Sequence, residues 1–130
     1  MNRNGLKILL VDNDWRIREL LKFKFERFGY EVITAKNEQE FLKRALAIQP
    51  DLIILDIFLG NRLGTRLYDT LLALGFDPEI PVIFITGLKA ENEPMRSDNY
   101  ALHIKPFNFD ELAEDAERLI SQRCVPVLVR

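Results

Sequence analysis

Three short stretches of the chain are apolar almost throughout: LKILLVD at 6–12, DLIILD at 51–56 and PVIFITG at 81–87. Each is too short for a buried helix and rich in Ile, Leu and Val. Hydrophobicity that runs on without alternating is what a strand covered on both faces requires, and such strands are usually parallel. Two weaker runs, YEVITA at 30–35 and ALHIK at 101–105, fit outer strands. Helical spacing fills the intervals. Between residues 14 and 28, Ile17, Leu20, Leu21, Phe25 and Phe28 predict one inward face, closed by Gly29. Asn37 and Glu40 resemble a capping pair ahead of Phe41, Ala45 and Ile48, and Pro50 stops that helix. Leu67, Leu71 and Leu74 follow Gly64 and end at Gly75. Asn108 caps a last helix, with Leu112, Ala116 and Leu119 inward. The stretch LKAENEPMRSDN (88–99) contains Pro94 and almost no periodicity, so a helix there is expected to be short, frayed or absent.

Strict alternation of strands and helices predicts a parallel sheet covered on both faces. The chain has 130 residues, one ordinary domain, and nearly half are apolar, enough for one core without staples. Lys and Arg number 18 against 20 acids, a balance that argues against a nucleic-acid surface. The single cysteine, Cys124, cannot form an intrachain disulfide, and the cytoplasm is the expected compartment. The N-terminus does not read as a signal peptide, and no apolar run approaches the ~18 residues of a membrane span. The apolar tail CVPVLVR (124–130) reads as the start of a linker, an extra edge strand or an oligomer contact.

In an open parallel sheet the C-terminal ends of the strands form the ligand edge. The chain places Asp12 and Asn13, then Asp56, Thr86 and Lys105 at those ends. A single strand-end carboxylate often only caps a helix. Acids from two strands with a hydroxyl and an ammonium from two others suit phosphoryl transfer to a carboxylate. A carboxylate nucleophile approaches an anionic phosphoryl group only once charge is neutralised, by Mg²⁺ on oxygen ligands, by a lysine and by a donating hydroxyl.

LLVDND, PDLIILDIFLGNRLG, PVIFITG and IKPF together resemble the receiver domain of two-component response regulators, from about Lys7 to near Arg123. The resemblance implies a doubly wound α/β fold. Its five parallel strands would lie in the flavodoxin-like order 2-1-3-4-5, with a short or degenerate fourth helix. Residues 1–123 would be the receiver and 124–130 a tail or linker. It implies that Asp56 is the phosphoryl acceptor, Thr86 the switch hydroxyl and Lys105 the phosphate-binding lysine. Asp12, Asn13, Asp56 and the backbone carbonyl of Phe58 would hold Mg²⁺. Pro106 would follow a cis peptide, and Gly87 would keep bulk away from the phosphoryl group. The expected partners are a histidine kinase or phosphotransfer protein and a downstream protein or fused output domain. Direct nucleic-acid or membrane contact is not expected; a homodimer is compatible with the reading. Any catalysis would be limited to the domain's own phosphorylation and dephosphorylation.

Asn13 stands where the family usually has a second acid. It keeps an oxygen ligand and loses a charge, so weaker Mg²⁺ binding is expected. Gly60 replaces a usual proline, Leu102 holds the place of the usual aromatic switch residue, and the Thr86–Lys105 interval is short by about one helical turn. Signalling is therefore expected to move the segment between Gly87 and Tyr100 rather than an aromatic ring. His103, the only histidine, reads as structural rather than as a phosphate carrier. Two other readings compete. One is a degenerate receiver that only docks. The other is a haloacid-dehalogenase-type phosphatase with Asp12 as nucleophile and Asp14 as acid/base, which leaves DLIILD unexplained.

Overall fold

Each apolar run divides its side chains between two layers. In β1 (Lys7–Val11), Ile8 and Leu10 pack on one face of the sheet and Leu9 and Val11 on the other. β3 (Leu52–Asp56) and β6 (Val82–Thr86) are split and buried in the same way. This is why, after Lys7 at the start of β1, these strands carry no polar residue before Asp56 and Thr86 at the ends of β3 and β6. With β2 (Glu31–Ala35) and β7 (Tyr100–Ile104) at the edges, they form a five-stranded parallel sheet in the order β2-β1-β3-β6-β7. The computed structural model describes residues 4–59, 62–87 and 100–124. The weak fourth helix and the mobile-segment expectation fall at 88–99, and most of the tail at 125–130, outside the described residues.

α1 (Trp15–Arg27) and α4 (Phe109–Cys124) cover one face, burying Leu21, Phe25, Leu112, Ala116, Leu119 and Ile120. α2 (Glu38–Ile48) and α3 (Gly64–Ala73) cover the other with Phe41, Ala45, Leu67 and Leu71. The fold is the doubly wound arrangement expected from the alternation. Three expected core positions are not core: Leu20 is 51% and Phe28 43% exposed, and Leu74, just beyond α3, is 56% exposed. Phe28 is the C-cap of α1, where the chain leaves the helical spacing that predicted its direction. Leu20 sits at the edge of the apolar stripe, turned away from the sheet.

One pair of strands was not legible as such. β4 (Phe58–Leu59) and β5 (Arg62–Leu63) form a small antiparallel hairpin directly after Asp56. Its sequence signal is the Gly-Asn pair between two short apolar-containing segments, a two-residue hairpin pattern.

Capping fixes where the helices start. Asn37 Oδ1 accepts the Glu40 N–H at 2.9 Å, and Glu40 Oε1 accepts the Lys36 N–H at 3.1 Å. Two N–H groups at the helix entrance are satisfied by side chains four positions apart at most. Asn37→Ala is expected to cost about 1 kcal/mol, read as a lower urea midpoint with an unchanged slope.

Candidate functional site

Asp12 follows β1 at the point where its strand partner ends. Its N–H still donates to the Ala35 carbonyl at 3.2 Å, but β2 stops there. The Asp12 carbonyl instead accepts from Arg18 Nη1 at 2.7 Å, a guanidinium reaching back from the first turns of α1. Asp12 is buried, with its side chain 2% exposed. Its Oδ1 accepts the Asp14 N–H at 2.8 Å, which ties the carboxylate to the helix entrance.

Asp56 ends β3 beside Ile85, and the ladder continues one step further through Ile57 N–H to the Ile85 carbonyl at 2.8 Å. Thr86 ends β6, and its carbonyl accepts the Lys105 N–H at 2.7 Å. That bond holds Lys105 immediately past β7, ahead of a cis Lys105–Pro106 bond. Asp56 and Thr86 are 5% and 1% exposed.

Lys105 joins these strands. Its ammonium lies 2.9 Å from Asp12 Oδ2 and 3.3 Å from Asp56 Oδ2. Two buried carboxylates thus share one cation, leaving the trio one negative charge in excess. Burial pushes the Lys105 pKa down, but the hydrogen bonds and charges of Asp12 and Asp56 outweigh it and hold the value above the ordinary 10.5.

Asn13 lies in the exposed bend between β1 and α1, and Phe58 in the hairpin opposite Leu63. Among the described residues no group of three or more His, Cys, Asp or Glu could hold a metal. The edge offers instead two carboxylates, with an amide oxygen and a backbone carbonyl on the flanking loops. That all-oxygen donor set fits a hard cation such as Mg²⁺, which takes few protein ligands and keeps its waters. A Cβ at Gly87 would meet only Lys105 Cδ, at 4.0 Å, an ordinary contact, so the backbone there has room for a methyl group.

The remaining polar residues have structural partners. Asp14 caps α1 by accepting the Arg16 N–H at 3.0 Å, and the Arg16 side chain and backbone hold its carboxyl below the usual range. His103 Nε2 lies 2.6 Å from Asp115 Oδ2 and is tied to α4 rather than aimed at the edge. Burial raises the Asp115 pKa, but His103 and Arg118 prevail and lower it. Leu102 packs against the core on the α2–α3 face, where Tyr68, Phe84 and Tyr100 form a chain of edge-to-face rings 6.1 and 5.9 Å apart.

A family model, the response regulator receiver domain, matches residues 8–117. The chain belongs to this family. It is 30% identical over 133 residues to the probable transcriptional regulator ycf27 of Cyanophora paradoxa, covering 98% of this chain and 54% of the relative. The chain spans about half the length of the curated relatives it matches. Its fold is similar to that of the Francisella response regulator 1452 receiver domain, with a TM-score of 0.78 and 27% identity over 91% of this chain and 98% of that one. It is also similar to response regulator protein TrrA from Thermotoga maritima in complex with Mg(2+)-BeF. There the TM-score is 0.75 and the identity 33%, over 88% of this receiver and 98% of that chain.

Arg18 is the residue of this receiver's edge that sequence patterning did not single out. Its signal was weak: a cation on α1 about one turn past the acids. Lys105→Met is expected to destabilise the protein at neutral pH by about 2 kcal/mol, below the 3–5 kcal/mol of a fully buried pair because the ammonium is partly solvated. A raised lysine pKa contributes stability that is complete below 10.5 and lost as pH rises through the folded value. The gap between the urea midpoints of wild type and variant should therefore close in alkaline buffer.

Proposed function

We propose that this receiver accepts a phosphoryl group on Asp56 from a histidine-kinase or phosphotransfer partner. The observation that carries the reading is the Lys105 ammonium held between Asp12 and Asp56, both buried at the strand ends. An Asp56 carboxylate oxygen attacks phosphorus. The new P–O bond forms as the bond to the donor's leaving atom breaks, and the electron pair departs with that atom. Lys105 follows the transferred charge, because its long flexible arm moves from carboxylate to phosphoryl oxygen without a change of protonation. The Thr86 hydroxyl donates to another phosphoryl oxygen, which couples the chemistry to the residues after β6. Asp12, Asn13, Asp56 and the Phe58 carbonyl would hold Mg²⁺, which supplies neutralising charge for the approach of the two anions.

We assign residues 1–123 to the receiver and the remainder to a tail or linker. The site of action is cytoplasmic and the output a protein contact or fused domain. The phosphatase reading fares worse. An acid/base needs a pKa near the working pH, and Asp14 is held below its ordinary value as a helix cap. The docking-only reading is favoured by one observation, the exposed amide of Asn13 in place of an acid.

Labelling with a small phosphodonor and Mg²⁺ tests the proposal. Asp56→Asn should abolish the labile acyl phosphate and Asp14→Asn should leave it largely intact. Equal loss in both variants would favour Asp12 chemistry, and no labelling of wild type would favour docking alone. A second expectation concerns the metal. Asn13→Asp should tighten Mg²⁺ about tenfold and lower the melting temperature of the metal-free protein, since a third carboxylate adds repulsion. An unchanged Mg²⁺-induced shift in melting temperature would place Asn13 outside the metal site.

A further inference from the structure

Each polar group of Asp12 has a partner, and the partners differ in kind. Its N–H donates to the Ala35 carbonyl at 3.2 Å, and its Oδ1 accepts the Asp14 N–H at 2.8 Å. Both of these partners are backbone groups. Its Oδ2 accepts from the Lys105 ammonium at 2.9 Å, and its carbonyl accepts from Arg18 Nη1 at 2.7 Å. Two side chains therefore hold Asp12. Lys105 has a place in the phosphoryl chemistry, and Arg18 has none. Arg18 is half-buried on α1 and reaches the backbone of Asp12 rather than its carboxylate.

The peptide unit that Arg18 holds is the one joining Asp12 to Asn13. A peptide unit is rigid, so a hydrogen bond on its oxygen restrains the whole plane. The Ala35 bond restrains the plane before Asp12 in the same way. With both planes held, φ and ψ of Asp12 are held, and so is the direction in which its Cβ leaves the chain. The same bond sets the first plane of Asn13. The sheet cannot do this, because the last register pairs of β1 are Val11 with Ala35 and Val11 with Leu55. Direction matters more with asparagine at position 13 than it would with an acid. Both ends of a carboxylate attract a cation, whereas an amide turned the wrong way presents its NH₂ group.

We propose that Arg18 is a positioning residue for the metal site: by holding the Asp12–Asn13 peptide, it aims both side chains at one cation. The proposal rests on the reading of Asp12 and Asn13 as Mg²⁺ ligands. Charge alone predicts the opposite effect. A guanidinium beside the site repels a cation, so its removal would tighten Mg²⁺ binding. Positioning predicts that its removal weakens binding.

The test is the Mg²⁺ Kd of the 130-residue chain, read from the dependence of the urea midpoint on Mg²⁺ concentration. This separates affinity from stability, because the metal-free midpoint is measured for each variant. Arg18→Met keeps a long side chain without a donor and should weaken Mg²⁺ about tenfold. Arg18→Lys keeps a charge and a donor and should lose less. Arg44→Gln is the comparison. Arg44 Nη1 donates to the Thr34 carbonyl on β2, an arginine–carbonyl bond that holds no proposed ligand. Its loss should lower the metal-free midpoint and leave the Mg²⁺ Kd unchanged. An unchanged Kd in Arg18→Met would make Arg18 a structural cap, and a tighter one would make its effect electrostatic. Equal weakening in Arg44→Gln would indicate general loosening. Each of these results overturns the proposal and leaves Asp12 and Asn13 as ligands. A wild-type midpoint indifferent to Mg²⁺ would overturn the metal reading itself, and this proposal with it.

Discussion

The arrangement depends on one cation holding two buried carboxylates. Asp12 and Asp56 lie at the ends of adjacent strands, β1 and β3, where their charges would repel in a poorly solvated pocket. The Lys105 ammonium between them makes both ionised groups tolerable. It can do so only because β7 is the edge strand beyond β6 and the lysine is long. The side chain must cross the end of β6 to reach two strands further in. A shorter basic residue at this position would leave the pair uncompensated.

Around this contact the backbone is fixed from several directions. Lys105 is held by the carbonyl of Thr86, so the hydroxyl and the ammonium are set by one hydrogen bond between strand ends. Asp12 is held by its own strand, by the Asp14 N–H and by Arg18. The Arg18 bond answers a general problem. A strand that outlasts its neighbour leaves a carbonyl without a partner, and burial makes that costly. Satisfying it from α1 couples the acid's backbone to that helix.

The departures from the family pattern fall in different places. Asn13 changes charge at the mouth of the site while Asp12, Asp56, Thr86 and Lys105 remain together. Leu102 removes a ring from one position, yet Tyr68, Phe84 and Tyr100 form a continuous aromatic layer beside it. The strand-end polar residues and the aromatic layer are thus separate parts of this fold. The first lie at the ends of β1, β3, β6 and β7, and the second packs beside them.

The sequence alone determined the layers, because continuous apolar strands can be satisfied only by cover on both faces. It also determined the caps at Asn37 and Asn108, because those depend on residues a few positions apart. The set of strand-end polar residues was legible for the same local reason. Tertiary structure decided which carboxylates share Lys105, since that contact joins residues far apart in the chain. It decided that His103 pairs with Asp115, that Arg18 serves the Asp12 carbonyl, and that Phe28 and Leu20 face solvent. Periodicity reports that a helix has an apolar side, but the helix's rotation against the sheet sets where that side ends.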